Sequence, residues 1–376
     1  MDANRYFPAS YEESRARFIR DTNLLQSRWP DSRLESHPLK NHPHLGIDWL
    51  WAAPANPETL VLISTAEHGI EGYVGAAILK LFMEELAPRL NPENTGLLLI
   101  HTINPWGMQN RCRVNPHNVD LNRNFIFNGH YDPAINLAYD LLNSLLNPAR
   151  PVGPLALENI RFLGQVIKGL ITPGQAKVEA AALLGQHRHA PGIYFGGKER
   201  QEETDVIIGL YRRALAHYQD IVQVDIHTGF GPRYQMTVLL PSNDPSLPSS
   251  KEASQKFNYP LVQKLDASEF YAISGDICEY FVRLRDAEFP GQKLLAGGFE
   301  FGTFGESLPA LIRSLRVTIL ENQLRHHGAK NEAVARAIRA EYGELFFPAE
   351  LRWREKALAD GRQALEGILR AYQLIR

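Results

Sequence analysis

Apolar positions in this chain follow two rhythms that alternate along most of its length: short unbroken runs, and stripes spaced three or four apart. Runs of this kind read as buried strands, and the spaced stripes as amphipathic helices. The run at 60–63 predicts a strand, and Val74, Ile78, Leu81, Phe82 and Leu86 predict the helix that follows it. Between them lies a polar, glycine-punctuated turn carrying Glu67, His68 and Glu71. A further apolar run at 95–103 completes a strand–helix–strand series, the signature of a βαβ unit and a largely parallel sheet.

The same reading carried along the chain gives a weak helix at 11–26 and a strand at 45–53. The proline-rich stretch 30–43 reads as loop, with His37, His42 and His44 as solvent-facing residues. From 130 to 200 the pattern turns helical: Ile135, Ala138, Leu141, Leu142, Leu145 and Leu146 form one stripe, and helices follow at 155–171 and 175–185. This region is expected as a helical excursion from the sheet, with His187 and His189 as a loop pair near its end. A helix at 206–218, strands at 221–226, 234–240 and 296–303, a loop at 241–250, and long helices at 309–325 and 349–374 complete the pattern, the last as a brace across the sheet. The expected architecture is a three-layer α/β/α fold around a mixed, mainly parallel sheet. It forms a single domain over 1–376, with the helical insertion at about 130–200 and the C-terminal helix at about 349–374.

Composition narrows the function. A formal net charge of −2 gives no basic footprint for nucleic acid and no polybasic patch for a membrane. Two cysteines, Cys112 and Cys278, exclude a disulfide scaffold and a cysteine-rich zinc module. No apolar run is long enough to span a bilayer, and the first twenty residues carry charge with no apolar signal core, so a cytoplasmic location is expected.

Chemistry concentrates where predicted strands end. His68 and Glu71 are one helical turn apart and can reach a single point beyond the sheet, where open α/β sheets place their ligands. They read either as half of a zinc site or as a loop histidine beside a dipole-favoured glutamate. The segment 104–125 is polar, rich in asparagine, and carries Arg111, Arg113 and Arg123. Arginine suits bidentate recognition of a carboxylate. Asp225 and His227 lie on one face at the end of another strand, either as a second ligand site or as a core histidine bonded to an aspartate. Glu300 is the one charge among the glycines and phenylalanines of 296–303, and it needs a partner or a raised pKa if buried.

Taken in order, HGIE, NP followed by the arginine loop and VDLNRNF, DIHTG, and FEFGT resemble the motifs of the zinc carboxypeptidase family. The likeness is to its bacterial branch of unassigned substrate, related to the aspartoacylases and succinylglutamate desuccinylases, and it covers about 59–303. It implies a carboxypeptidase-like, phosphorylase/hydrolase-like fold with one zinc ion held by His68, Glu71 and His227. It implies Glu300 as general base and Arg113 as the group that stabilises the oxyanion, with Arg111 as its rival. Asn122 and Arg123 would grip the substrate's terminal carboxylate, and Asp120 would orient His68. The family's mobile tyrosine has no firm match; Tyr271 and Tyr280 are the candidates.

Three readings follow. The first is a zinc-dependent hydrolase that cleaves an amide bond next to a free carboxylate, most simply a metallocarboxypeptidase acting on small peptides. The second is an N-acyl-amino-acid deacylase of the aspartoacylase type. The third is a catalytically silent binding protein that keeps the fold.

Overall fold

The computed structural model describes residues 2–171, 184–264 and 274–376. Eight strands among them form one sheet: β1 (Arg33–Leu39), β2 (His42–Ala52), β3 (Thr59–Thr65), β4 (Thr95–Ile100), β5 (Asp220–Thr228), β6 (Met236–Leu240), β7 (Val262–Lys264) and β8 (Lys293–Phe301). Their order is β1-β2-β4-β3-β5-β8-β6-β7. The four central strands, β4, β3, β5 and β8, are mutually parallel, while β2 joins β4 and β6 joins β8 in antiparallel fashion. Parallel central strands covered on both faces are buried throughout and read as continuous apolar runs. That is why 60–63 and 97–100 stood out in the sequence.

Helices cover both faces. One layer contains α1 (Tyr11–Asp21), α3 (Gly72–Leu81), α8 (Ser250–Phe257) and α12 (Leu351–Ala371). They pack Phe18, Ile78, Phe257, Trp353, Leu358 and Leu365 against Val61, Ile63, Leu99, Val224 and Phe299. The C-terminal helix is therefore the brace that its stripe predicts. The opposite layer contains α7 (Glu202–His217) and α9 (Ile277–Glu288), whose Ile207, Tyr211 and Phe281 face Leu60, Leu62, Leu98 and Ile221. Between them in sequence fall the four-residue helix α2 (Asn23–Gln26) and the short α4 (Pro105–Asn110).

Outside the three layers, α5 (Leu137–Leu146) and α6 (Leu155–Ile171) build a satellite core. Tyr139, Leu142, Leu145, Leu146 and Val166 meet Ile319 of α10 (Leu308–His327). The expected stripe shifts slightly in the structure. Leu141 is 70 % exposed, and Tyr139 takes the inward place instead. The expected helix at 175–185 lies largely outside the described residues. Helix α11 (Glu332–Phe346), with α10, presses Tyr342, Leu345, Phe346 and Val317 onto Ile70 in the turn after β3.

One local expectation fails outright. Residues 30–43 are not a loop: they contain β1, and β2 begins at His42. Proline misleads here because β1 is an edge strand, and the ladder shifts register between Pro38 and Leu39. An edge strand or a bulge tolerates a residue without an amide proton.

Candidate metal centre

The carboxyl ends of β3 and β5 lie side by side, with Thr65 opposite Ile226, and the chain leaves both strands into the site. After β3 it turns through Ala66 in the left-handed region (φ 58°), an uncommon state for a residue with a Cβ. It then makes one 3-10 turn, Gly69–Glu71, before α3 begins. That turn is pressed against α4. A Cβ on Gly69 would lie 2.1 Å from the carbonyl carbon of Gly107, so only glycine allows this approach.

The turn brings His68 and Glu71 to His227, all three buried. His68 Nδ1 is 3.0 Å from Glu71 Oε1, His227 Nδ1 is 3.3 Å from Glu71 Oε2, and the two Nδ1 atoms are 3.3 Å apart. Tetrahedral zinc with bonds of ~2.0–2.1 Å sets its ligand atoms roughly 3.3 Å apart, so this triangle fits that ion. Each imidazole turns its other nitrogen to a carboxylate. His68 Nε2 lies 3.1 Å from Asp120 Oδ1, and His227 Nε2 lies 2.6 Å from Asp225 Oδ2. A carboxylate on Nε2 holds the proton there and leaves the Nδ1 lone pair facing inward, the usual backing of a metal-binding histidine. Glu67, His68 and His227 also bring donor atoms within 4.8 Å of one another. The triangle with Glu71 is the tighter of the two sets and uses the inward nitrogens.

Charge supports the same reading. Glu67, Glu71, Asp120 and Asp225 are all fully buried within this small volume, with Arg113 and Arg123 as the neighbouring permanent cations. Burial alone would push the Glu71 carboxyl up, but His68, His227 and Arg113 outweigh it and hold it below the ordinary carboxylate range. Asp120 is held low against its burial by Arg113, His68 and Arg123. Burial would likewise lower His227, yet Asp225 and Glu71 raise it well above the usual imidazole value. An excess of buried carboxylates that drives a histidine cationic is the electrostatic complement of a divalent ion.

Glu300 pairs with His227 across β5 and β8. Its strand is internal, flanked by β5 and β6. Its Oε1 accepts the Phe230 N–H at 2.9 Å, and burial together with the charge of Glu71 pushes its carboxyl up to about 8.

The arginine loop divides. Arg113 reaches the cluster, donating from Nη1 to Glu71 Oε1 at 3.1 Å and from Nε to Asp120 Oδ2 at 3.0 Å. Arg111 does not. It closes α4 in the left-handed region (φ 52°), donates to the Ala9 carbonyl at 2.7 Å and sits over the Tyr73 ring. Asn122 and Arg123 follow Asp120 in a 3-10 turn. The Asn122 side chain accepts from the Ile277 N–H at 3.0 Å. Arg123 donates from Nη1 to the Asn122 carbonyl at 2.8 Å and is only 4 % exposed.

Residues 185–197, the end of the insertion, strap the arginine loop, with Gly185 and Gly196, and Gly275 from elsewhere in the chain, packed against Arg123. Asp120 N donates to the Phe195 carbonyl at 2.7 Å, Asn124 Nδ2 to the Gly196 carbonyl at 2.7 Å, and Asn118 Nδ2 to the carbonyls of Ala190 and Gly192. His187 belongs to this strap through Gly197, and His189 lies 2.5 Å from Asp140. The strap also delivers Tyr194, which no pattern along the chain singles out. Its backbone is left-handed (φ 55°), and its ring stands 5.8 Å from the Arg113 guanidinium. A strained non-glycine residue beside a charged cluster is the signal that coordinates reveal and periodicity hides. Tyr280 is buried against Phe125 and Phe127. Tyr271 lies outside the described residues.

The profile of a family described as "Protein of unknown function (DUF2817)" matches residues 7–360. No curated protein sequence matches the chain. Among solved structures, it is similar to bovine thrombin-activatable fibrinolysis inhibitor in complex with tick carboxypeptidase inhibitor. That match has 13 % identity and a TM-score of 0.46, covering 88 % of this chain and 98 % of that one. It is also similar to carboxypeptidase A from Helicoverpa armigera, at 15 % identity and a TM-score of 0.45, over 88 % of this chain and 73 % of that one.

Proposed function

We propose, for a chain that belongs to the DUF2817 family and takes no activity from that family's description, a zinc-dependent hydrolase that cleaves an amide bond next to a free carboxylate, in the manner of a metallocarboxypeptidase. The observation that carries this reading is the triangle of His68 Nδ1, Glu71 and His227 Nδ1, with sides of 3.0 to 3.3 Å and a carboxylate behind each imidazole. Two histidines and a glutamate with an open fourth position make a hydrolytic zinc set. Zinc, when bound there, supplies Lewis-acid polarisation at neutral pH.

The protein's own groups do the rest. Glu300 accepts the proton of the attacking water on Oε2, since Oε1 is engaged by Phe230 N–H, and returns it to the leaving nitrogen. Arg113 is fixed by Glu71 and Asp120 through Nη1 and Nε, which leaves Nη2 to donate to the developing oxyanion. Asn122 and Arg123 bind the carboxylate beside the scissile bond, beneath the strap that Tyr194 tops. Arg111, held on Ala9 and Tyr73, has no part in this arrangement. The strap over Arg123 favours small ligands, which keeps the N-acyl-amino-acid deacylase as the second reading.

The deciding experiment combines metal analysis with one variant. Purified protein is expected to carry about one zinc per chain. Glu300→Gln is expected to keep that zinc while losing on the order of 10²–10⁴ in turnover. A chain that neither holds nor takes up zinc, or a fully active Glu300→Gln, overturns the reading. A substrate panel of dipeptides against N-acyl amino acids then separates the two amidase classes. Amidating the substrate's carboxylate should weaken either activity strongly.

A further inference from the structure

Arg113 is held by its backbone as well as by its side chain. The Cys112 carbonyl accepts the Ile70 N–H at 2.9 Å, and the Arg113 carbonyl accepts the Gly69 N–H at 3.1 Å and Asn104 Nδ2 at 3.3 Å. The loop thus runs along the turn that carries His68 and Glu71, with both carbonyls bonded to it. In a trans peptide the N–H points away from the carbonyl it is joined to. The Arg113 N–H accordingly faces the other side, where it donates to the Tyr342 hydroxyl at 3.2 Å.

Tyr342 lies in α11, well past the last of the four motifs, 229 residues from the amide it meets. It is buried, with its ring edge-on to Phe346 at 5.0 Å between centroids, and it packs with Ile70, Val317 and Leu345. A ring enclosed in this way holds its hydroxyl at a set place. Phenylalanine would serve the packing equally well. A buried hydroxyl costs free energy unless it is hydrogen-bonded, and the amide it meets here is that of Arg113. The end of the same helix reaches the other side of the site. The Phe346 carbonyl accepts Thr228 Oγ1 at 2.7 Å, and the Thr228 N–H donates to Glu71 Oε2 at 2.9 Å. Arg113 Nη1 donates to the other oxygen of Glu71. Both of these donors are therefore tied to α11.

The peptide unit 112–113 is pinned at its two ends, by Ile70 at the carbonyl and by Tyr342 at the amide. Its plane sets the direction in which the Arg113 side chain leaves the loop. Glu71 and Asp120 hold two corners of the guanidinium, and the peptide sets the origin from which it reaches them. A small tilt of the plane is magnified along that long side chain, and an oxyanion donor works only within ~2.7–3.1 Å of the developing charge. We propose that Tyr342 is a positioning residue: its hydroxyl fixes the peptide plane of Arg113, and so the point at which the guanidinium meets the oxyanion. This rests on the role given to Arg113 above, and it makes α11, outside the motifs, part of the working site.

The test compares Tyr342→Phe with the parent chain, both loaded with zinc. Removing an oxyanion donor costs on the order of 10²–10³ in kcat, and displacing it should cost less, about tenfold, with KM unchanged. Zinc uptake should also be unchanged. In an Arg113→Met background, Tyr342→Phe should lower kcat no further, because the group it positions is gone. A role in packing alone would lower kcat by the same factor in both backgrounds, which overturns the proposal. Hydrogen exchange gives a reading independent of turnover. The Arg113 amide should be protected in the parent chain and exchange faster in Tyr342→Phe, while the Gly69 and Ile70 amides keep their protection. Free exchange of the Arg113 amide in the parent chain overturns the proposal even if the variant does not fold. A parent chain without zinc uptake or activity overturns the proposed function and this role with it. An active parent whose kcat is indifferent to Tyr342→Phe overturns this role alone.

Discussion

At the scale of single residues, the centre is a set of carboxylates sorted by their neighbours. Asp120 is the most heavily committed. It takes His68 Nε2 on one oxygen and Arg113 Nε on the other, and its Oδ1 also accepts the Asn122 N–H at 3.2 Å. One side chain thus orients the His68 imidazole, the Arg113 guanidinium and the turn that carries Asn122 and Arg123. Asp120→Asn keeps the shape but places an amide where the His68 imidazole and the Arg113 guanidinium converge. Zinc affinity should fall by about 10–100-fold. Turnover of the zinc-saturated variant should fall further, because Arg113 loses its anchor. Competition with a chromogenic chelator measures the first effect and kinetics at saturating zinc the second. An unchanged affinity would remove Asp120 from the support of His68.

At the scale of elements, the strap 185–197 shows what a substitution far from the chemistry should do. A Cβ on Gly196 would meet His187 Cε1 at 2.4 Å and the Arg123 carbonyl oxygen at 2.6 Å. Gly196→Ala must therefore lift the strap from the arginine loop, at a cost of about 1–3 kcal/mol. KM should rise more than kcat falls, since Arg123 and Tyr194 shift while the triangle of His68, Glu71 and His227 stays. A urea melt and a kinetic comparison check both parts; a stable variant with unchanged KM would show that the strap has no share in binding. This is also where the sequence was least legible. The central strands and α12 declare themselves because they bury continuous runs or stripes. The strap is held by asparagine side chains bonded to carbonyls, and such contacts leave no period. His68, Glu71, His227 and Glu300 were legible because each sits where a predicted strand ends or runs beside one. Tyr194 sits in an irregular segment, and only its positive φ and the nearby guanidinium mark it. The hairpin β1–β2 was hidden for the opposite reason. Its prolines argue against a strand until Pro38 is seen to lie on an edge, beside a register shift.

A second element-scale prediction concerns α1. Its Ser14 hydroxyl lies 2.8 Å from His101 Nε2, Phe18 stacks on the same ring, and Arg15 grips Asp48 bidentately on β2. Burial pushes the His101 imidazole down to about 4, so it folds neutral. The unfolded chain takes up that proton below about 6.5. Stability should therefore be lost as pH falls from about 6.5 toward 4, with α1 loosening first. Hydrogen exchange across 11–21 at pH 5 against pH 7 reads this directly. Equal protection at both values would sink it.

At the scale of the whole molecule, the formal charge of −2 says little, but its distribution matters: a sheet with an apolar core carries an anionic knot at the carboxyl ends of β3, β5 and β8. Without metal, the folded chain holds protons there that the unfolded chain would not. Glu300 is raised to about 8 by burial and by Glu71, and His227 is raised by Asp225 and Glu71 against its burial. Glu67 is raised by burial and by Asp225. All three shifts have the same sign, with the folded state binding more protons than the unfolded one. The contribution of these three groups to metal-free stability should therefore decline as pH rises from about 5 to beyond 8, opposite in sign to that of His101. Zinc must displace the His227 proton to bind, so its affinity and its stabilising effect should grow over the same range. The gap in Tm between zinc-loaded and metal-free protein is thus expected to widen with pH, and the His101 contribution cancels because both forms share it. At a hundredfold excess over Kd the gap corresponds to about 2.7 kcal/mol. Glu300→Gln should flatten part of the metal-free slope without removing the gap. A gap that stays constant from pH 5 to 9 would mean that the knot binds no ion in exchange for its protons, and the centre would then be a buried acid cluster rather than a metal site.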